Sequence, residues 1–227
     1  MKRSEIHSNI EWAIQMLEEY KYYLPEFGYW TLEDWKKHAD EVGDIKRIML
    51  GWDITDFGSG DFENIGAILF TIRNGVENHP EIGVPYAEKL FFIREGQFFP
   101  YHYHAVKTED IINRGGGLIS YYLYNSLPDG EMDKVNPITL YIDGIKRTVQ
   151  PGEEIVLKPG SSLTLNKGIY HRFGAKPGHG PVIGGEVSSV NDDKTDNYWY
   201  DDMNRFQKTE EDVPAKYILC NEYNDFI

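Results

Sequence analysis

Gly96-Gln97-Phe98-Phe99-Pro100-Tyr101-His102-Tyr103-His104-Ala105-Val106-Lys107-Thr108-Glu109, running on through Asp110-Ile111-Ile112-Asn113-Arg114-Gly115 to Gly116, is the stretch on which the fold turns. In an extended chain alternate residues share a face, so His102 and His104 point to one side while Tyr101 and Tyr103 point to the other. Ala105 to Thr108 is long enough to reverse the chain, and a returning antiparallel strand then presents Glu109 beside the two imidazoles. His171, beyond the Pro159-Gly160 turn and one more strand, is the candidate fourth member. Three nitrogens and a carboxylate suit a first-row divalent metal with positions open for water or substrate. A lone His-x-His is more often a hydrogen-bonded core pair; the flanking glycines, the spaced glutamate and the downstream histidine together favour a metal site. His7, His38, His79 and His179 fall on expected helices or in Gly- and Pro-rich loops and read as solvated.

Working outward, short β-branched and aromatic runs are punctuated by turn dipeptides. Ile138 to Ile142 leads into Asp143-Gly144, then Ile145 to Gln150, Pro151-Gly152, Ile155 to Leu157, Pro159-Gly160 and Ser161 to Leu165. Pro181 to Val190 and Tyr86 to Phe92 read as further strands. Such spacing predicts a mainly β jelly-roll barrel. Before it, Ile6, Ile10, Ile14 and Leu17 repeat at helical spacing, with Ser4 or Ser8 as candidate caps. Thr31-Leu32-Glu33-Asp34 offers a cap for a second, short helix to about His38. The expected organisation is one domain, with residues 1–43 a helical flank and 44–227 a β-barrel with a C-terminal extension.

The chain has 227 residues, and 37 acidic against 23 basic side chains give a formal charge of −14. That surplus disfavours nucleic acid and anionic membrane as partners, since both are held largely by Lys and Arg. The single cysteine, Cys220, cannot form an internal disulfide and suits a reducing cytoplasm. No run is apolar and long enough to suggest a membrane span. Serine-hydrolase, phosphate-loop and dinucleotide signatures are also missing.

The spacing Gly-x5-His-x-His-x4-Glu-x6-Gly from Gly96 to Gly116 matches the first motif of the cupin superfamily, and Pro159-Gly160 with His171 resembles the second with a longer gap. The implied fold is the cupin double-stranded β-helix. Lys107 to Gly117, Tyr86-Ala87-Glu88-Lys89, Gly185 to Asp193 and Thr195-Asp196-Asn197 further resemble the cupin-type D-lyxose isomerases. The resemblance implies a Mn²⁺-dependent interconversion of D-lyxose with D-xylulose, and of D-mannose with D-fructose, by a homodimer in the bacterial cytoplasm. It implies His102, His104, Glu109 and His171 as metal ligands.

Residue chemistry suits that reaction, because a positioned base must move a proton between C2 and C1 while cations stabilise the developing oxyanion. Glu186 is the candidate base if the Gly184, Glu186, Ser188 face of its strand lines the barrel. Lys107, in the turn between ligand-bearing strands, is the candidate cation. Lys89 is a candidate substrate contact, although parity allows either Glu88 or Lys89 to face inward, not both. Asp196 is a candidate for a sugar hydroxyl from the acidic group Asp192, Asp193 and Asp196, and Trp199, Tyr198 and Tyr200 for stacking on a sugar face. An iron-dependent cupin dioxygenase and a sugar-binding cupin without activity share these ligands.

Overall fold

The computed structural model describes residues 1–192, 195–206 and 208–227. Helix α1 (Arg3–Glu19) is followed by a 3-10 turn (Glu26–Tyr29) and the short helices α2 (Leu32–Lys37) and α3 (Gly43–Arg47). Strands follow in the order β1 (Gly51–Thr55), β2 (Ala67–Val76), β3 (His79–Ile93), β4 (Phe98–Tyr103), β5 (Glu109–Gly116), β6 (Ile119–Ser126) and β7 (Met132–Asp133). After them come β8 (Ile138–Ile142), β9 (Ile145–Val149), β10 (Ile155–Leu157), β11 (Ser162–Leu165), β12 (Ile169–Ala175), β13 (Val182–Ser189) and β14 (Tyr198–Trp199), and α4 (Tyr223–Phe226) closes the chain.

The strands form two facing sheets, β1-β2-β3-β13-β5-β11-β8-β9 and β10-β6-β12-β4-β14, with β7 against β6. This is the cupin barrel. Its interior is an apolar cluster drawn from both sheets, including Leu69, Phe91, Phe99, Ile111, Leu163 and Phe173. Burying each such side chain stabilises the fold by about 1.5–3 kcal/mol before the entropy of ordering it is counted. Close approach demands glycine at position 184, where a Cβ would run into the ring of Phe91, its partner across the β13–β3 ladder.

The hairpin reading of Asp143-Gly144 is met, because both residues take positive φ (52° and 75°), as a tight two-residue reversal between β8 and β9 requires. The long helix starts earlier than the serines suggest. Glu5 accepts from the Lys2 amide at 2.7 Å, and Asp212 of the C-terminal segment accepts from the Ser4 amide at 3.0 Å. Ser8 instead donates back to the Ser4 carbonyl, an interior helical bond. Thr31 and Asp34 form the expected reciprocal cap on α2. The stretch from Asp44, read as the beginning of the strands, lies in helix α3 (Gly43–Arg47), and the first strand begins at Gly51. Asp44, Lys46 and Arg47 leave that segment no apolar alternation to pair.

Helix α1 lays Ile6, Ile10, Ala13 and Leu17 against the outer face of the first sheet, in a cluster with Ile68, Phe70, Phe92 and Ile183. The C-terminal segment joins it through Tyr217 and Leu219. Beneath them lies Arg3, fully buried, whose guanidinium donates to both oxygens of Glu222 at 2.8 Å and to the Tyr217 carbonyl. Among the described residues no helix is long and apolar enough to cross a membrane.

Candidate metal and active site

Strand β4 carries His102, His104 follows immediately after its last residue, and β12 carries His171 directly opposite His102 in an antiparallel ladder. All three are buried, and one ring nitrogen from each lies within 4.8 Å of the other two. Their tautomers follow from the hydrogen bonds. Nδ1 of His102 donates to the Pro100 carbonyl at 2.9 Å, Nδ1 of His171 to the Ile169 carbonyl at 2.9 Å, and Nδ1 of His104 to the Asp196 carbonyl at 3.0 Å. With the proton held on Nδ1, each Nε2 turns a lone pair inward. Burial pushes all three imidazoles below their ordinary pKa, helped at His104 by Lys107 and opposed at His171 by Glu109, which favours their neutral form.

Glu109, the first residue of β5, faces the same point from the other sheet. Its oxygens lie 3.3 Å from Nε2 of His171 and 3.5 Å from Nε2 of His104, and Nε2 of His171 is buried without a hydrogen-bond partner. Lone pairs facing a carboxylate repel unless a cation joins them. The donor set therefore fits a divalent metal, with neutral imidazoles as borderline donors and one ionised carboxylate as a hard one.

Next to this set stands a run of charges. Lys107 Nζ lies 2.7 Å from Glu186 Oε1, 2.9 Å from Glu109 Oε2 and 3.2 Å from Asn191 Oδ1. Lys89 pairs with Glu186 across the β3–β13 ladder and brings its ammonium within 3.9 Å of Oε1. Glu88, on the opposite face, pairs with Arg73. Burial alone would raise the Glu186 carboxyl, but Lys107 and Lys89 outweigh it and hold the group below its usual range. The same contest, with Lys107 on the winning side, holds the Glu109 carboxyl below its usual range.

Lys89, Lys107, Glu109 and Glu186 line a cavity of about 40 Å³ together with His102, His104, Phe57, Trp199 and Arg205. The ring of Trp199 lies 4.7 Å from that of His102. Asp196 has other partners: one oxygen accepts from the Ala105 and Val106 amides at 2.9 and 2.8 Å, the other from the Lys107 amide at 2.9 Å. It braces the turn that carries Lys107 and, through its carbonyl, the ring of His104. Asp193 lies outside the described residues. Arg172 alternates with His171 and stacks on Phe98 outside the barrel, 3.8 Å from the ring centroid, and Arg114 is exposed.

A D-lyxose isomerase family model matches residues 1–223. The chain belongs to the D-lyxose isomerase family. Over the full length of both chains it is 40% identical to the D-lyxose/D-mannose isomerase of Escherichia coli O157:H7 and 39% identical to that of Serratia proteamaculans. Among solved structures, L-ribose isomerase of Acinetobacter sp. DL28 in complex with L-ribose superposes with a TM-score of 0.59 at 17% identity, covering 89% of this chain and 93% of that one. Ligand-free L-ribose isomerase of Cellulomonas parahominis gives 0.56 at 15% identity, covering 88% and 92%. At these identities the likeness is one of fold. Within this family member, Asn191, Arg205 and Asp53 are site neighbours to which the sequence reading assigned no role, while Ser188, on the polar face expected with Glu186, donates to Glu186 Oε1 at 3.3 Å. One signal was available for Asp53: it is a lone carboxylate in the otherwise uncharged run Gly51-Trp52-Asp53-Ile54-Thr55.

Proposed function

We propose that the protein interconverts D-lyxose with D-xylulose, and D-mannose with D-fructose, using a divalent cation, Mn²⁺, held by His102, His104, Glu109 and His171. The observation that carries the reading is the Glu186–Lys107–Glu109 chain set against three inward-facing imidazoles, in a chain 40% identical to a D-lyxose/D-mannose isomerase. A bound cation supplies positive charge to the sugar oxygens, which lowers the pKa of the carbon-bound proton. Glu186, kept ionised by two ammonium groups, accepts the proton from C2 and returns it to C1 of the enediol. Lys107 holds Glu186 and Glu109 in register and donates to the sugar oxygen on which negative charge grows. Lys89 tunes Glu186 from the far side. Asp196 acts as a positioning residue by fixing the turn. The family resemblance supports a cytoplasmic homodimer as the working form, read by light scattering as twice the chain mass.

The test is ketose formation from D-lyxose, D-mannose, D-xylose and their phosphates by chelator-stripped protein with and without Mn²⁺. Metal-dependent conversion of D-lyxose and D-mannose is expected, without oxygen uptake. Glu186→Gln keeps its metal and loses solvent-hydrogen incorporation at C2 in D₂O. Binding of sugar without turnover by metal-loaded protein would sink the proposal.

A further inference from the structure

Asn74, on β2, is a buried amide with no role assigned above, 6% exposed. The register of the β2–β3 ladder slips between Thr71 and Arg73, between Arg73 and Gly75, and between Gly75 and Val76, so position 74 stands in an irregular stretch. Irregularities of this kind re-aim side chains away from the plain alternation of a strand. Arg73 turns out to Glu88, and Asn74 turns in. Its Nδ2 donates to the Asn191 carbonyl at 3.0 Å and to the Ile48 carbonyl at 3.3 Å, while its Oδ1 accepts from the Asn191 amide at 3.0 Å. Only this orientation of the amide matches each donor with an acceptor.

Asn191 lies just beyond β13, where the ladder to β3 has ended at the pair Ser189 and Tyr86. Asn74 supplies there the N–H and C=O partners that a neighbouring strand would. On its other side, Asn191 Oδ1 accepts from Lys107 Nζ at 3.2 Å, the ammonium that also meets Glu186 and Glu109 at 2.7 and 2.9 Å. A lysine ammonium is a point charge on a flexible stem, so the acceptors around it decide where the charge stands. Glu186 and Glu109 are carried by strands; Asn191 is carried by a loop, and its place depends on what braces that loop. Asn74 takes no part in lining the metal cavity and faces a separate cavity of about 370 Å³ that Thr71 and Asn191 also line. A sugar beside Glu186 is out of its reach, and its influence runs through Asn191.

We infer that Asn74 is a positioning residue for the isomerisation: its side-chain amide fixes Asn191, and Asn191 in turn fixes the Lys107 ammonium beside Glu186. This rests on the isomerase reading and deepens it.

The test is a mutant cycle on D-lyxose at saturating Mn²⁺, with bound metal measured by elemental analysis. It compares wild type, Asn74→Leu, Asn74→Asp, Asn191→Ala and Lys107→Met with each of the first three changes combined with Lys107→Met. Alone, each change at Asn74 or Asn191 is expected to lower kcat by about 10- to 100-fold, the cost of shifting a catalytic group by about 1 Å. KM should stay within about threefold, because Lys107 acts on charge that grows only in the transition state. In the Lys107→Met background the same changes should cost less than about threefold more, since the group they position is already gone. Damage to the fold would instead multiply in both backgrounds. Asn74→Asp nearly conserves volume and sets a carboxyl against the Ile48 and Asn191 carbonyls, which guards against a packing defect in Asn74→Leu. Losses that multiply, losses confined to KM, or a kcat within about threefold of wild type overturn the inference and leave the isomerase reading standing. No turnover of D-lyxose by Mn²⁺-loaded wild type overturns both.

Discussion

Replacing Lys107 by Met keeps most of the side-chain volume and removes the ammonium that bridges Glu109 and Glu186. The bridged oxygens lie 2.9 and 2.7 Å from the same nitrogen, so they are separated by no more than the two legs laid end to end, about 5.6 Å. At an effective dielectric constant of roughly 20, two bare charges at that distance repel by about 3 kcal/mol, and more if closer. Glu186 now sits below its usual pKa because Lys107 and Lys89 outweigh burial, and with Lys107 gone both burial and Glu109 push it upward. The sign is therefore fixed: the base is lost at low pH and recovered as pH rises. The variant is expected to lose about 10²–10³-fold in kcat at neutral pH, as when one preorganised donor is deleted from an active site. Its acid limb should move toward higher pH. The assay is initial ketose formation from D-lyxose between pH 5 and 9 at saturating Mn²⁺, with bound metal measured by elemental analysis. A metal-replete variant within about threefold of wild type, with the same acid limb, would refute the reasoning.

Two further outcomes are expected elsewhere. His104→Ala removes one inward lone pair, so titration calorimetry should show loss of tight Mn²⁺ binding, with turnover falling below detection; full activity in metal-depleted protein contradicts the ligand assignment. Arg3→Met strands Glu222, which is 7% exposed, and should lower unfolding free energy by about 3–5 kcal/mol in urea denaturation. A loss under about 1 kcal/mol would show that the cluster is already compensated, and adding Glu222→Gln should recover part of the loss.

Much of the barrel was legible because its turns are chemically explicit. Asp143-Gly144 can reverse a chain in few other ways, and His-x-His on a strand has a fixed geometry. What local pattern withheld was which face is inward. Glu88 and Lys89 are equal candidates until β3 is registered against β13, where Lys89 meets Glu186 and Glu88 turns to Arg73. Asp196 was readable as a polar loop residue but not as a brace, since its partners lie about ninety positions upstream. Arg205 and Asp53 are separated by 152 positions and meet only because the C-terminal segment crosses back over the barrel. The start of α1 was missed for the same reason: part of its cap comes from Asp212.

The carbonyls that orient the three imidazoles do not come from equivalent places. For His102 and His171 each comes from two residues earlier on the same stretch of chain, so those rings are set as soon as their strands form. For His104 the carbonyl belongs to Asp196, on the segment leading to Trp199 and Arg205. One candidate metal ligand thus depends on the piece of chain that flanks the proposed sugar cavity. Thermodynamic reciprocity follows: whatever occupancy of the cavity does to the order of that segment, it does to cation affinity, and cation binding returns the same factor to the sugar. The ion and the sugar are then joint tenants, each changing the other's residence.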